Sequence, residues 1–240
     1  METTTKTAMN YRHEYKYVCT AVQAEIIKCR IKGLMKLDNH TSADGSYNIR
    51  SLYFDDAFHT AYFANENGTE PRDKFRIRIY NCDTTSIFLE KKQKCRGMTI
   101  KDSCLISIAQ AENLISGEDV VLDRDSPQLL CEFAARSQLQ NLHPAVIVDY
   151  DRIPFVYPLG NVRVTFDRNI ASSNQVSRFF EKDIAKRPVM ESGQQVMEVK
   201  WDQFLPDYIK QCLQTNGLPR TALSKFYYCS KYNLSSGVLL

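Results

Sequence analysis

Arg72-Asp73-Lys74-Phe75-Arg76-Ile77-Arg78-Ile79-Tyr80 is the stretch on which the fold turns. It alternates strictly, with Arg72, Lys74, Arg76 and Arg78 on one parity and Phe75, Ile77 and Ile79 on the other. Successive side chains of a strand point to opposite faces. One face therefore carries a ladder of four cations, and the other supplies apolar core. Taken alone, such a strand reads equally as an exposed edge guarded by like charges or as the wall of an anion site. Recurrence decides between the two.

The alternation recurs. Tyr11–Val18 places Arg12, Glu14 and Lys16 on one parity, and Ser86–Lys94 places Glu90, Lys92 and Lys94 together. Tyr150 and Arg152 share a parity within 145–152, as do Arg163, Thr165 and Asp167 within 162–168, and Glu198 and Lys200 within 195–202. Tyr47–Asp55 is a further strand, and 98–101 extends the sheet. Helices are expected over about 21–36, behind a Thr20/Gln23 capping box, and over about 107–116, between Ser107 and Gly117. Two more are expected over about 127–140, with Pro127 at the first helical position, and near 206–214. The segment 171–186 has the least pattern, and the chain finishes in a tail containing Ser224-Lys225-Phe226.

The chain has 240 residues, ample for a core, with 43% hydrophobic and 25% charged residues and a net charge of only +3. A basic function must therefore come from local clustering. Thirteen Tyr and twelve Phe suit a strand-rich fold. The eight cysteines form no C-x-x-C pair and mostly sit within apolar patterns, which points to buried free thiols in a reducing cytoplasm. No apolar run approaches the roughly 20 residues of a membrane span. The expectation is a disordered tail at 1–9, then one α+β domain over 10–240 whose antiparallel strands close into a barrel with several flanking helices.

If the apolar parity packs outward against helices, the basic parity lines an interior. Cations packed together repel unless anions fill the space. Phosphate is the natural filling, because Arg forms forked contacts to its oxygens. The four histidines lack metal-ligand spacing, and no phosphate-binding glycine loop or nucleophile motif is present. Glu198, set among cations, reads either as an ion-pair partner or as a ligand for Mg²⁺ or Mn²⁺. Glu14 and Glu90 read as charge-balancing partners. Nucleic acid is disfavoured, because the cations alternate with core residues and not with exposed stacking aromatics.

These motifs, in this order, carry a resemblance. Tyr11–Lys16, Ser51–Asp55, Arg76-Ile-Arg78, Glu90-Lys-Lys92, Tyr150-Asp-Arg152, Arg163–Arg168, Glu198-Val-Lys200 and Ser224-Lys-Phe226 together resemble the vacuolar transporter chaperone domain. That family is the polyphosphate polymerase branch of the triphosphate tunnel metalloenzymes. The resemblance implies a basic antiparallel β-barrel tunnel in which Lys16, Arg76, Arg78, Arg152, Arg163 and Lys225 grip phosphate. It further implies contacts from Lys92, Lys94, Lys101, Tyr150 and Ser224, with Glu198 holding Mn²⁺ or Mg²⁺. Arg12, Lys74 and Lys200 share the basic faces, and Arg220 stands near the place of an upstream basic residue. Where the superfamily opens on Glu-x-Glu-x-Lys, this strand has Arg12 in place of the first glutamate, which favours polymerase over hydrolase. The expected activity is transfer of the terminal phosphoryl group of ATP onto polyphosphate. A triphosphate or polyphosphate hydrolase and a non-catalytic polyphosphate binder are the alternatives. A membrane-protein partner is compatible with all three.

Overall fold

The computed structural model describes residues 12–214 and 217–237. The tail expected at 1–9, and Tyr11, lie outside the described residues. In chain order the strands are β1 (His13–Thr20), β2 (Lys36–Leu37), β3 (Tyr47–Asp55), β4 (Arg72–Tyr80), β5 (Asp83–Cys95), β6 (Met98–Ile106), β7 (His143–Tyr157), β8 (Val162–Ser173), β9 (Arg187–Pro188) and β10 (Gln194–Trp201). The helices are α1 (Ala21–Ile31), α2 (Thr60–Glu66), α3 (Ile108–Ser116), α4 (Gln128–Gln140), α5 (Asp207–Leu213) and α6 (Lys225–Gly237).

All strands belong to one antiparallel sheet, ordered β1-β10-β8-β7-β3-β4-β5-β6, with the two-residue β2 and β9 added on β7 and β8. The sheet curls until its edge strands meet. Arg12 and Thr99 exchange backbone hydrogen bonds of 3.0 and 3.3 Å between the start of β1 and β6. The expected closure is thus a single bridge among the described residues, and the result is a strongly curled sheet with a concave interior.

Alternation fixes which face is which. Outward, Leu52, Phe54, Phe75, Ile77, Ile79 and Leu89 pack against Ala111 and Leu114 of α3 and Leu129, Leu130 and Phe133 of α4. Around the curl, Tyr17, Val164, Phe166, Met197 and Trp201 pack against Ala24, Ile27 and Ile31 of α1 and Ile209 and Leu213 of α5. Each large apolar side chain buried in this way contributes about 1.5–3 kcal/mol relative to exposure. The third cluster lies on the concave face, where Tyr53, Val148, Tyr150 and Val196 meet Phe226 and Cys229 of α6. Helix α6 therefore fills one end of the interior and leaves the remainder to polar side chains.

Local signals explain most of the boundaries. Thr20 with Gln23 and Ser107 with Gln110 form complete capping boxes, and Gly117 ends α3 at φ 79°, a conformation that suits a residue without Cβ. Helix α1 stops at Ile31, short of the expected 36. Leu34 lies 43% exposed, while Met35 turns back into the core ahead of β2. Pro127 caps α4 from just outside and is not its first residue. Helices α2 and α6 were not expected, because short, Tyr- and Ser-rich segments carry little 3.6-residue periodicity. All eight cysteines are free thiols, but only Cys19 and Cys229 are buried; Cys29 is exposed and the other five are half-buried, because their apolar neighbours in sequence fall on other faces. No helix among the described residues is long and apolar enough to cross a membrane.

Candidate phosphate-binding cavity

The concave face encloses a cavity of about 460 Å³. Eleven Lys and Arg side chains line it against two carboxylates, Glu14 and Glu198. Cross-strand register assembles this wall. On β4 and β5, Arg72 faces Lys94, Lys74 faces Lys92, and Arg76 faces Glu90. On β1 and β10, Glu14 faces Lys200 and Lys16 faces Glu198. Each basic strand thus lies beside another basic strand, which a solvent-facing sheet has no reason to do.

Two carboxylates behind the wall hold its arginines. Glu90 accepts from Arg76 Nε at 2.7 Å and from Lys101 Nζ at 2.7 Å, and lies 3.7 Å from Arg78 Nη1. Arg76 Nη1 also donates to the Tyr53 hydroxyl at 2.6 Å, and Arg78 Nε donates to Ser51 Oγ at 3.1 Å. Burial alone would raise the Glu90 carboxyl, but Arg76, Arg78 and Lys101 outweigh it and hold that group far below the usual carboxylate range. Opposite, Arg152 makes a forked pair of 2.7 Å bonds to Asp167. Lys225, at the start of α6, bridges Asp167 at 2.6 Å and Glu198 at 2.7 Å. Lys200 reaches Glu198 at 2.8 Å, while Lys92 and Lys16 share Glu14 at 2.9 and 3.2 Å.

Lys74 is different. It pairs with no carboxylate among the described residues. Its ammonium donates to Asn65 Oδ1 at 3.1 Å and Ser224 Oγ at 3.2 Å and lies 4.7 Å from the Phe226 ring centroid. Burial, and then the fields of Lys92, Lys16, Arg72 and Arg76, pull its pKa well below the ordinary lysine value. Lys92 is lowered to about 8, first by burial and then by Lys16 and Lys200 acting against Glu14. The cavity is therefore short of negative charge. A polyanion would supply it and would favour the protonated form of both lysines.

Most expected site residues meet here: Lys16, Lys74, Arg76, Arg78, Lys92, Lys94, Tyr150, Arg152, Glu198, Lys200, Arg220, Ser224 and Lys225 all line the cavity. Three do not. Arg163 is turned to Asp38 at 2.9 Å and to the Tyr47 hydroxyl at 2.8 Å. Arg12 is held by Asp202 and the Asn161 carbonyl, and Lys101 sits behind Glu90 with its side chain 47% exposed. All three obey the inward parity, but their side chains are engaged by Asp38, Asp202 and Glu90, which parity does not reveal. Tyr150 lines the wall with its ring, 5.3 Å from the Arg152 guanidinium and 5.0 Å from Lys225. Tyr53 and Asn65 also line the wall and were not foreseen. Tyr53 shares the Ser51 parity in Tyr47–Asp55 and could have been found that way, whereas Asn65 on α2 gives no sequence signal.

The donor set bears on the expected metal. No group of three or more His, Cys, Asp or Glu capable of holding an ion occurs among the described residues. Glu198 Oε1 accepts from Lys225, and Oε2 accepts from Lys200 and Arg152. A cage built from protein alone does not fit. A small hard cation that keeps its waters and takes further oxygens from phosphates, resting on one carboxylate, does fit Glu198.

A family model, that of the VTC domain, matches residues 11–233. No curated protein sequence matches the chain. Similar solved structures include the PH1819 protein of Pyrococcus horikoshii OT3, at 13% identity over 94% of this chain and 99% of that one, with a TM-score of 0.48. Another is a Hippeastrum protein assigned as an adenylyl cyclase and described as having a dominant triphosphatase activity, at 13% identity, 97% and 98% coverage and a TM-score of 0.48. The Mimivirus capping enzyme triphosphatase is similar at 9% identity, 88% and 89% coverage and a TM-score of 0.36. At these scores they are likenesses and no more.

Proposed function

Because this chain belongs to the VTC domain family, its matched region running over residues 11–233, we propose that it is a metal-assisted polyphosphate polymerase of the cytoplasm. The terminal phosphoryl group of ATP moves onto the end of a polyphosphate chain lying in the cavity. The observation that carries this reading is the excess of eleven cations over two carboxylates in one wall. Single-phosphate or nucleic-acid ligands do not call for so many cations facing one another at close range.

Phosphoryl transfer asks little covalent chemistry of a protein; it asks for alignment and neutralised charge. A terminal oxygen of the acceptor phosphate attacks the γ-phosphorus of ATP. A P–O–P bond forms, the β–γ bridging bond breaks, and ADP leaves. Arg76 and Arg78, fixed by Glu90, Tyr53 and Ser51, would hold equatorial oxygens on one side, and Arg152, Lys225 and Lys16 would hold them from the other. Lys74 and Lys92 are placed to take up negative charge as it arrives. A Mn²⁺ or Mg²⁺ ion resting on Glu198 would neutralise further phosphate charge when bound. Arg12, Lys101 and Arg163 are assigned supporting roles.

The test is direct. Purified protein is incubated with ATP and Mn²⁺ or Mg²⁺, and the products are resolved on a polyacrylamide gel stained for polyphosphate. A ladder that disappears with a chelator is expected. Free phosphate without a ladder would instead make the protein a hydrolase, and unchanged ATP would make it a binder.

A further inference from the structure

At the outer end of the basic ladder, charge is balanced differently from the interior. Side-chain exposure rises along β5 from 1% at Glu90 through 27% at Lys92 to 37% at Lys94. Arg72 and Lys94, which face each other across β4 and β5, therefore stand at the mouth of the cavity. Deeper in, the carboxylates that meet the wall are Glu14, Glu90, Asp167 and Glu198, each on a strand and at most 9% exposed. At the mouth the carboxylate comes from a loop. Glu70, in the connection between α2 and β4, reaches Lys94 Nζ at 2.9 Å and lies 3.9 Å from Arg72 Nη1. Neither cation has another carboxylate within 4.0 Å among the described residues.

The hold on Glu70 is of a kind that can be released. Its other oxygen accepts from Gly97 N–H at 2.8 Å, which joins its loop to the turn between β5 and β6. Gly97, and then Lys94, hold the carboxyl below the ordinary glutamate value, so it is an anion. The Glu70 side chain is 23% exposed, and an ion pair in contact with water shifts an equilibrium by about fivefold or less. Two cations that line the cavity are thus neutralised by a side chain that does not, and its carboxylate lies where a phosphate would otherwise be drawn. Distance adds the second point. Arg72 stands four residues before Arg76 on β4, about 13 Å away at the rise of a strand. Tripolyphosphate gripped by Arg76 and Arg78 is shorter than this, whereas a longer chain runs out to Arg72 and Lys94.

We propose that Glu70 is a displaceable counter-ion at the mouth of the cavity and makes binding sensitive to polyphosphate chain length. A short chain leaves its ion pairs intact, and a chain that passes through the mouth must break them. This rests on the polyphosphate reading above and adds to it the residue that discriminates among chain lengths. Removing the Glu70 charge should therefore help long chains and leave short ones alone.

Calorimetric titration of the full chain at low salt, with inorganic tripolyphosphate and with a longer linear polyphosphate of defined length, tests this. Glu70→Gln removes the charge and keeps an oxygen for the Gly97 N–H. It is expected to tighten the longer chain about threefold to fivefold, the scale of a part-exposed ion pair, and tripolyphosphate by less than about 1.5-fold. The gain should shrink as salt is added. In a Lys94→Met background, where the shorter of the two ion pairs is already gone, Glu70→Gln is expected to lose most of its effect. An equal gain for both ligands, no gain for the longer chain, or a full gain without Lys94 would overturn the role of Glu70 while leaving the phosphate cavity standing. Failure of the parent to bind either polyanion would overturn both.

Discussion

Arg50 and Arg78 lie on adjacent strands, one residue out of register: Arg50 of β3 pairs with Ile79, and Ser51 pairs with Arg78. Both are buried, at 1% and 7% exposure. The pleat sends them to opposite faces, and their chemistry diverges completely. Arg50 points outward, where Nε donates to Asp149 at 2.8 Å, Nη1 to the Phe179 and Glu181 carbonyls, and Nη2 to the Lys182 carbonyl at 3.2 Å. Its fork is spent on holding the 179–182 loop. Arg78 points inward and has only Ser51 and a 3.7 Å contact with a Glu90 that it shares with Arg76 and Lys101. Its remaining donors face the cavity. A buried arginine with a complete hydrogen-bond set is structural, and one with donors to spare is a binding group.

The largest effect expected from this contrast is on Arg50. Arg50→Ala strands Asp149 in the interior with Lys186, at 3.1 Å, as its remaining cation. A loss of about 3–5 kcal/mol follows for one member of a buried pair. Denaturant unfolding measures it, and the folded fraction should still bind tripolyphosphate with parent affinity. If Arg50→Ala instead retains stability and loses binding, the division between the two faces is wrong.

Arg78→Ala should do the reverse, with the effect on affinity. Glu90 keeps Arg76 and Lys101, so stability is expected to change by less than about 1 kcal/mol, since mutual repulsion among the cations falls. Losing a charge-assisted contact worth about 1.5–3 kcal/mol should weaken tripolyphosphate binding roughly 10- to 100-fold in calorimetric titration. Parent affinity in a well-folded Arg78→Ala would remove that arginine from the phosphate path.

The same two residues show how far sequence reading reaches. Parity in Arg72–Tyr80 placed Arg72, Lys74, Arg76 and Arg78 on one face, and all four line the cavity. The family motifs added Lys225 and Glu198, which alternation alone could not bring to the same spot. Parity says nothing about which carboxylate captures a side chain, and so it grouped Arg12, Lys101 and Arg163 with the rest although their side chains end on Asp202, Glu90 and Asp38. Helix α6 was invisible for another reason. Its buried Phe226 and Cys229 pack on the concave face of the sheet, so its helicity is bought by tertiary burial and not by a strong amphipathic pattern of its own. Arg50 shares the parity of Leu52 and Phe54, which marks it as outward, yet nothing local names Asp149 or the 179–182 carbonyls as its partners.

The smallest effect lies with the lysines that face too little negative charge, and its sign follows from linkage. Burial and neighbouring cations lower Lys92 to about 8, and Lys74 also lies well below the ordinary lysine value. A bound polyanion favours the charged forms and raises both pKa values, so above pH 8 binding takes up protons. The lysines' contribution to affinity then falls as pH rises, by at most about one decade per unit for each proton taken up, while protons lost by the ligand itself are common to parent and variant. Below pH 7 Lys92 is already charged and contributes no slope. Titrations with tripolyphosphate between pH 7 and 10 at constant ionic strength, in two buffers of different ionisation enthalpy, read both the slope and the proton uptake. Lys92→Arg keeps its charge throughout this range and should flatten the profile in part, leaving the portion due to Lys74. An unchanged slope in Lys92→Arg would show that Lys92 stays protonated in the empty cavity, and that Glu14, at 2.9 Å, outweighs its burial and its cationic neighbours.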